Sequence, residues 1–348
     1  MTKPTQLRKN NHYVPQLYLK QWMTNGKIPT YRLLVPNEGV HLWKDHSLKG
    51  IAYHQHLYTY LVGQEETDEF ERWLSNEFEA PAEEAIHLAI NDERMSQEHW
   101  KKLIRFAVAQ DVRTPANLRS FLARHRGTMQ KLMTETLETS VRHFSAVTKT
   151  GALIPKTEPD LTNPLPIKIS ITKHPKGGGN IEAKTIVGRR LWLWSVRHLL
   201  TNTIKKITKN HWTIVHAPPG LSWPTSDNPL IKLAYQDNKN YGFSGGWGIP
   251  NIDIVMPLSP KHLLHNCIGR KSWPRGTVLD EQTAQFLRKV IVEHADRYVF
   301  DKDKSDIQNI RPRTASLTSY NQERAAWQDW GNAQSRAEAE LFGEMPDT

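Results

Sequence analysis

The spacing of apolar residues is helical over one long stretch of this chain and strand-like over a later one, and that change constrains the fold more than any other feature. Phe70, Trp73, Leu74, Phe78, Ala82, Ala85, Ile86 and Ala89 recur at helical intervals, the pattern of one buried helix face. Pro81 falls inside the run, where its missing N–H and its ring predict a kink or a split. Ser96 is placed to cap a second helix, with Glu98 in its first turn. Trp100, Leu103, Ile104, Ala107 and Val108 supply the apolar face of that helix. After Pro115 the period resumes with Leu118, Phe121, Leu122, Met129, Leu132, Met133, Leu137, Val141 and Phe144, and a further helix is expected over residues 184–207. Then the period shortens. Residues 211–216, 230–234 and 252–256 read as strands, followed by a helix at 281–295 and a strand at 297–300. This order points to the α+β class, a helical bundle lobe packed on a mixed or antiparallel sheet.

Residues 1–63 are mixed. Pro15 suits a first helical position, ahead of Leu17, Tyr18, Leu19 and Trp22, and strand-like runs follow at 31–34 and 57–61. One α+β domain is expected over residues 1–313, with its helical part at 64–146 and its strand-rich part at 211–300. Between them, residues 147–183 read as a Thr-, Pro-, Lys- and Gly-rich insertion. Within it Ile167, Ile169 and Ile171 alternate with Lys168 and Ser170 as a half-buried strand would. Residues 314–348 form an acidic, helix-prone tail.

A chain of 348 residues is long enough to bury roughly 75% of its unfolded surface. Cys267 is the only cysteine, which excludes an internal disulfide and any multi-thiolate zinc site, and its apolar neighbours suggest a small buried hydrophobe. The charged N-terminus has no apolar run behind it, and nowhere do about 18 apolar residues follow one another, so a cytoplasmic address with no membrane span is expected. Net charge is +10, although the tail has six acids against Arg324 and Arg336. A basic body suits a polyanionic partner, nucleic acid or nucleotide, which the acidic tail would screen.

Four segments stand apart from this pattern. They are Asn10-Asn11-His12-Tyr13-Val14-Pro15-Gln16, an acidic helix at 71–79, Gln110-Asp111-Val112-Arg113-Thr114-Pro115, and Thr225-Ser226-Asp227-Asn228-Pro229 followed by Met256-Pro257-Leu258-Ser259-Pro260. Together they resemble a bacterial family known as a domain of unknown function, number forty-two thirty-eight, over residues 10–300. The resemblance implies a single domain and no particular chemistry.

The chemistry must come from the side chains. His12 can move a proton near neutral pH, or can satisfy backbone groups at a helix entry together with Asn11. Arg113 and Gln110 share a helix face. The Arg113 guanidinium suits a phosphate, or an interhelical ion pair with Glu79 or Glu71. Asp227 follows a strand, where it can bind a metal or act as a base, while Ser226, Asn228 and Pro229 around it also compose a tight turn.

If His12, Glu79, Gln110, Arg113 and Asp227 converge, one reading is a phosphoester hydrolase, nuclease-like, of the kind a toxin or phage-defence effector uses. Glu79 and Asp227 would then hold Mg²⁺ or Mn²⁺, and Asn11, Ser226 and Asn228 would contact substrate. The other reading is a non-catalytic module that binds nucleic acid or an acidic partner, with the five residues as a structural hub. Basic clusters at Lys101, Lys102 and Arg105, at Arg119, Arg124, His125 and Arg126, and at Lys205, Lys206 and Lys209 fit phosphate tracking, or simply solvated helix faces. His54 and His56 would share a strand face without a third metal ligand. The glycines at 177–179 lack the Gly-Lys-Ser/Thr of a phosphate loop, and those around Trp247 suggest a mobile loop near Asp227.

Overall fold

In the computed structural model, residues 7–62, 65–150, 164–175, 178–207 and 210–342 are described, with side chains left aside at 148–150. Residues 151–163 of the insertion, Gly177, Lys209, Glu344 and Asp347 lie outside that set.

Pro81 shapes the first helical stretch. The chain runs α-helical over Glu69–Leu74, widens to a π-turn over Ser75–Glu79, tightens to 3₁₀ over Ala80–Ala82 and resumes as Glu83–Ile90. A proline ring cannot sit on a regular helical turn, and the wide–tight pair accommodates it without ending the helix. Against it packs Gln97–Val112, capped at Ser96 by a reciprocal box with His99. Its last ten residues are almost all buried, so it runs through the middle of the molecule. Pro115–Arg126 and Arg189–His198 complete this layer. The second of these starts five residues later than the apolar pattern suggests, because Gly179–Lys184 is a strand.

A five-stranded antiparallel sheet follows, in the order Trp212–His216, His262–Cys267, Ile252–Pro257, Ile231–Tyr235, Tyr241–Gly242. Ile214, Ile254, Met256 and Leu264 on one face join the core shared with the helices. Val215, Ile231, Val255 and Leu263 on the other face pack on Ala284, Leu287 and Ile291 of the helix Glu281–His294. Helical layer, sheet and helix thus form three layers, confirming the α+β class. The strand His262–Cys267 is buried at every position, so it has no polar alternation to mark it in the sequence. A second, four-stranded antiparallel sheet runs Thr225–Ser226, Tyr298–Phe300, Ile28–Arg32, Trp43–His46.

Two expectations change. The insertion strand Lys168–Lys173 pairs with Gly179–Lys184 as a hairpin, but Ile169 and Ile171 are 65% and 68% exposed rather than half-buried. Alternation reports two chemically different faces and does not require that one be covered. The tail is helical at Leu317–Gln328 and Trp330–Phe342, but it is docked rather than free to screen the body. Fully buried Arg189 grips Glu338, which is 3% exposed, through Nε–Oε1 and Nη2–Oε2 bonds of 3.1 Å each. Arg297 holds Glu323, and the Trp327 ring stacks on His54 at 4.0 Å. No described helix is long and apolar enough to cross a membrane.

Candidate functional site

The four segments set apart in the sequence meet at Arg113. Burial of a guanidinium is costly unless its donors are met. Arg113 is fully buried at the end of Gln97–Val112, and its donors find partners from two other segments. Nη1 donates to Glu79 Oε1 at 2.5 Å, Nη2 to the carbonyl of His12 at 2.7 Å and Nε to the Tyr58 hydroxyl at 3.3 Å. The same hydroxyl donates to the Arg113 carbonyl at 2.6 Å. Asn11, also buried, accepts from the Tyr58 amide at 3.1 Å and donates to the Arg8 carbonyl. Thr114 caps Pro115–Arg126 through the Asn117 amide and donates to Asn228 Oδ1 at 3.3 Å, which ties in the fourth segment.

Asp227 sits in that fourth segment, and its carboxylate is engaged. Oδ1 accepts the Asp296 amide and Oδ2 the Arg297 amide, each at 2.8 Å. Burial, then the neighbouring Asp296 carboxylate, pushes its acidity weaker, while those amides pull the other way. Ser226 accepts the Asn228 amide, and Asn228 lies against His294. Asp227, Ser226 and Asn228 therefore build the turn that clasps the strand Tyr298–Phe300, with one backbone amide on each Asp227 oxygen.

Around Arg113 some polar capacity is left over. Gln110 is fully buried one turn before it, and both its amide atoms lack a protein partner, as does Glu71 Oε2. Burial pushes the Glu71 carboxyl up to about 7, against the pull of Arg113. His12 is half-buried beside Gln16 and its pKa is lowered, mainly by burial. The hub thus brings His12, Glu79, Gln110 and Arg113 together, reaches Asp227 only through Thr114 and Asn228, and adds Glu71 and Tyr58.

Other residues singled out in the sequence lie elsewhere. His54 is sandwiched between Tyr13 and Trp327, and burial lowers its pKa to about 4. His56 sits just past the strand Tyr53–Gln55 in the left-handed region, at φ 54°, so it does not share a strand face with His54. Trp247 donates to Asp111 at 2.8 Å, next to Lys232, and not to Asp227. Cys267 is buried, and its thiol is pushed up by burial and by Asp253, away from the nucleophilic thiolate.

Two features of the surface remain, and only the first had a sequence signal, the basic cluster at Lys101, Lys102 and Arg105. A cleft of about 500 Å³ is lined by Gln97, Trp100, Lys101, Ile104, His211 and Trp212. The Arg275 guanidinium lies 5.7 Å from the Trp100 ring at its edge and donates to the Glu93 carbonyl. Beside it, Asp92, His216 and His262 place their side-chain donor atoms within 4.8 Å of one another. Nothing in their sequence separation announces that meeting. It arises because His216 and His262 are cross-strand partners.

No curated protein and no solved structure matches this chain. Residues 10–305 match the family described as Protein of unknown function (DUF4238), which takes in all four segments of the hub and the whole five-stranded sheet. The chain belongs to that family.

Proposed function

We propose that this protein binds single-stranded nucleic acid or a related polyanion along the cleft beside Trp100, with the Arg113 hub serving as scaffold. The observation that carries the reading is the cleft's lining, where Trp100 and Trp212 stand with Lys101 and His211 and the Arg275 guanidinium lies near the Trp100 ring, on a chain of net charge +10. Rings stack bases without regard to sequence, and cations follow the phosphates. The hub contributes by fixing the end of Gln97–Val112, the helix that presents Trp100 and Lys101 from its first turns. Fluorescence anisotropy of labelled single-stranded RNA and DNA across a salt series tests this. Log affinity should fall linearly with log salt. Salt-independent binding, or none at low salt, removes the reading.

A second reading is favoured by the unpartnered Gln110 amide and Glu71 oxygen beside Arg113. In it the hub is a phosphoester-hydrolysing centre with His12 moving the proton, Arg113 steadying charge and Glu79 with Asp227 as candidates for Mg²⁺ or Mn²⁺. Incubation of the protein with RNA, DNA and nucleotides, with and without each metal, decides it. Absence of cleavage, or cleavage unaffected by His12→Ala and Glu79→Gln, excludes the hydrolase.

A further inference from the structure

We infer that Asp92, His216 and His262 form a binding site for a divalent transition metal of the zinc class, separate from the hub and from the nucleic-acid reading. His216 ends the strand Trp212–His216 and stands directly opposite His262 in the antiparallel ladder. Opposed residues carry their Cβ atoms only about 5 Å apart, so two imidazoles there converge without any loop having to order. The backbone holds His216 from its other side as well, since its amide donates to the Thr277 carbonyl at 2.8 Å and its carbonyl accepts the Leu279 amide at 3.0 Å.

The third donor comes from the turn after the helix Glu83–Ile90. Asp92 has φ 58°, in the left-handed region where glycine or asparagine commonly ends a helix. A carboxylate is a poor choice there, because the carbonyl end of a helix already carries partial negative charge. This one faces the sheet, with Oδ1 2.8 Å from His216 Nε2 and Oδ2 3.4 Å from His262 Nε2. Ligand atoms around a tetrahedral zinc stand about 3.3 Å apart, given bonds near 2.0–2.1 Å. The two carboxylate–imidazole spacings bracket that value and all three donor atoms lie within 4.8 Å of one another, so side-chain rotations would close the set on an ion.

Support behind the ligands is also present. His262 Nδ1 lies 2.8 Å from Ser259 Oγ, so the ring is oriented from behind while Nε2 faces Asp92. The Ser259 oxygen also accepts the Lys261 and His262 amides at 3.1 Å each, so without metal its hydroxyl is placed to donate to Nδ1, and it would turn to accept from Nδ1–H once Nε2 takes a metal. Outer-shell bonds of this type are a recurring feature of metal-binding histidines. The two rings meet nearly edge to face, at 82° and 4.8 Å between centroids, so they do not stack, and both Nε2 atoms lie against the Asp92 carboxylate. Exposure is graded, from a buried His262 to a half-exposed Asp92, which leaves the outer side of the site open to water. Two imidazoles and one carboxylate with open positions suit zinc and its neighbours in the first transition row. Mg²⁺, by contrast, favours an all-oxygen shell.

The test is calorimetric titration of Zn²⁺ into untagged, chelator-stripped full-length protein, paired with the visible spectrum of the Co²⁺ complex. One equivalent should bind. Asp92→Asn should weaken it at least tenfold, and His216→Ala with His262→Ala should abolish it. Ser259→Ala should cost about 10- to 100-fold, the usual effect of losing an outer-shell partner. Should the double histidine variant fail to fold, the exposed Asp92→Asn change still decides the matter. Absence of saturable binding, or an unchanged affinity in Asp92→Asn, overturns the site. Because metal binding is read directly, failure of nucleic-acid binding would leave this result untouched.

Discussion

The Arg113 hub and the Asp92–His216–His262 cluster both join distant stretches of chain, yet they use their polar groups in opposite ways. At the hub, a fully buried guanidinium spends its donors on Glu79, Tyr58 and the His12 carbonyl, and a buried carboxylate, Asp227, spends its oxygens on backbone amides. At the cluster, three side chains meet one another at a surface with water on the open side. Polar groups locked to one another in a core specify one structure, whereas groups paired only with each other at a surface can exchange those bonds for a ligand. The contrast teaches that a convergence of charged residues is not by itself a reactive site; what matters is whether their hydrogen-bonding capacity is already used.

The largest expected effect separates the two regions by stability. Arg113→Ala strands Glu79 and the His12 carbonyl, and breaking a buried pair in this way costs roughly 3 kcal/mol, the low end of the usual range because Glu79 keeps some contact with water. Urea unfolding should show it, while Asp92→Asn should shift the midpoint little.

A second effect is pH-dependent. Glu71 is raised to about 7 in the folded chain, so the fold favours its neutral form. Below the ordinary carboxylate range both states are protonated and no penalty exists. The penalty grows as pH rises toward 7 and is complete above it. Glu71→Gln removes it, so the variant's stability relative to the native protein should improve by roughly 3 kcal/mol between pH 4.5 and pH 8. Parallel urea titrations at both pH values check this, and an equal difference at the two would place the Glu71 carboxyl in water.

The smallest effect belongs to the cleft. Trp100→Ala should weaken single-stranded RNA binding about tenfold, the loss of one stacking platform, with little change in salt slope.

Much of the fold could be read from residues alone, because helices with one buried face carry their period openly. Ser96 caps where the residue pattern places it, and Pro81 distorts the helix where its ring demands. The pairing of Arg113 with Glu79 was one of two readings the sequence left open. The strand His262–Cys267 was hidden because burial on both faces erases alternation. That gap also concealed the Asp92–His216–His262 cluster, since His262 becomes the neighbour of His216 only once the ladder is known. The docking of the tail was equally hidden, because a glutamate such as Glu338 looks solvated until Arg189 is seen buried against it.

The most direct test of the hub as scaffold is RNA affinity of Arg113→Lys, measured well below its unfolding temperature. A lysine keeps the charge but cannot span Glu79, Tyr58 and the His12 carbonyl together. The account predicts a lower unfolding temperature with affinity and salt slope preserved. An affinity loss of tenfold or more at unchanged unfolding temperature would contradict it and make Arg113 part of the ligand-handling machinery.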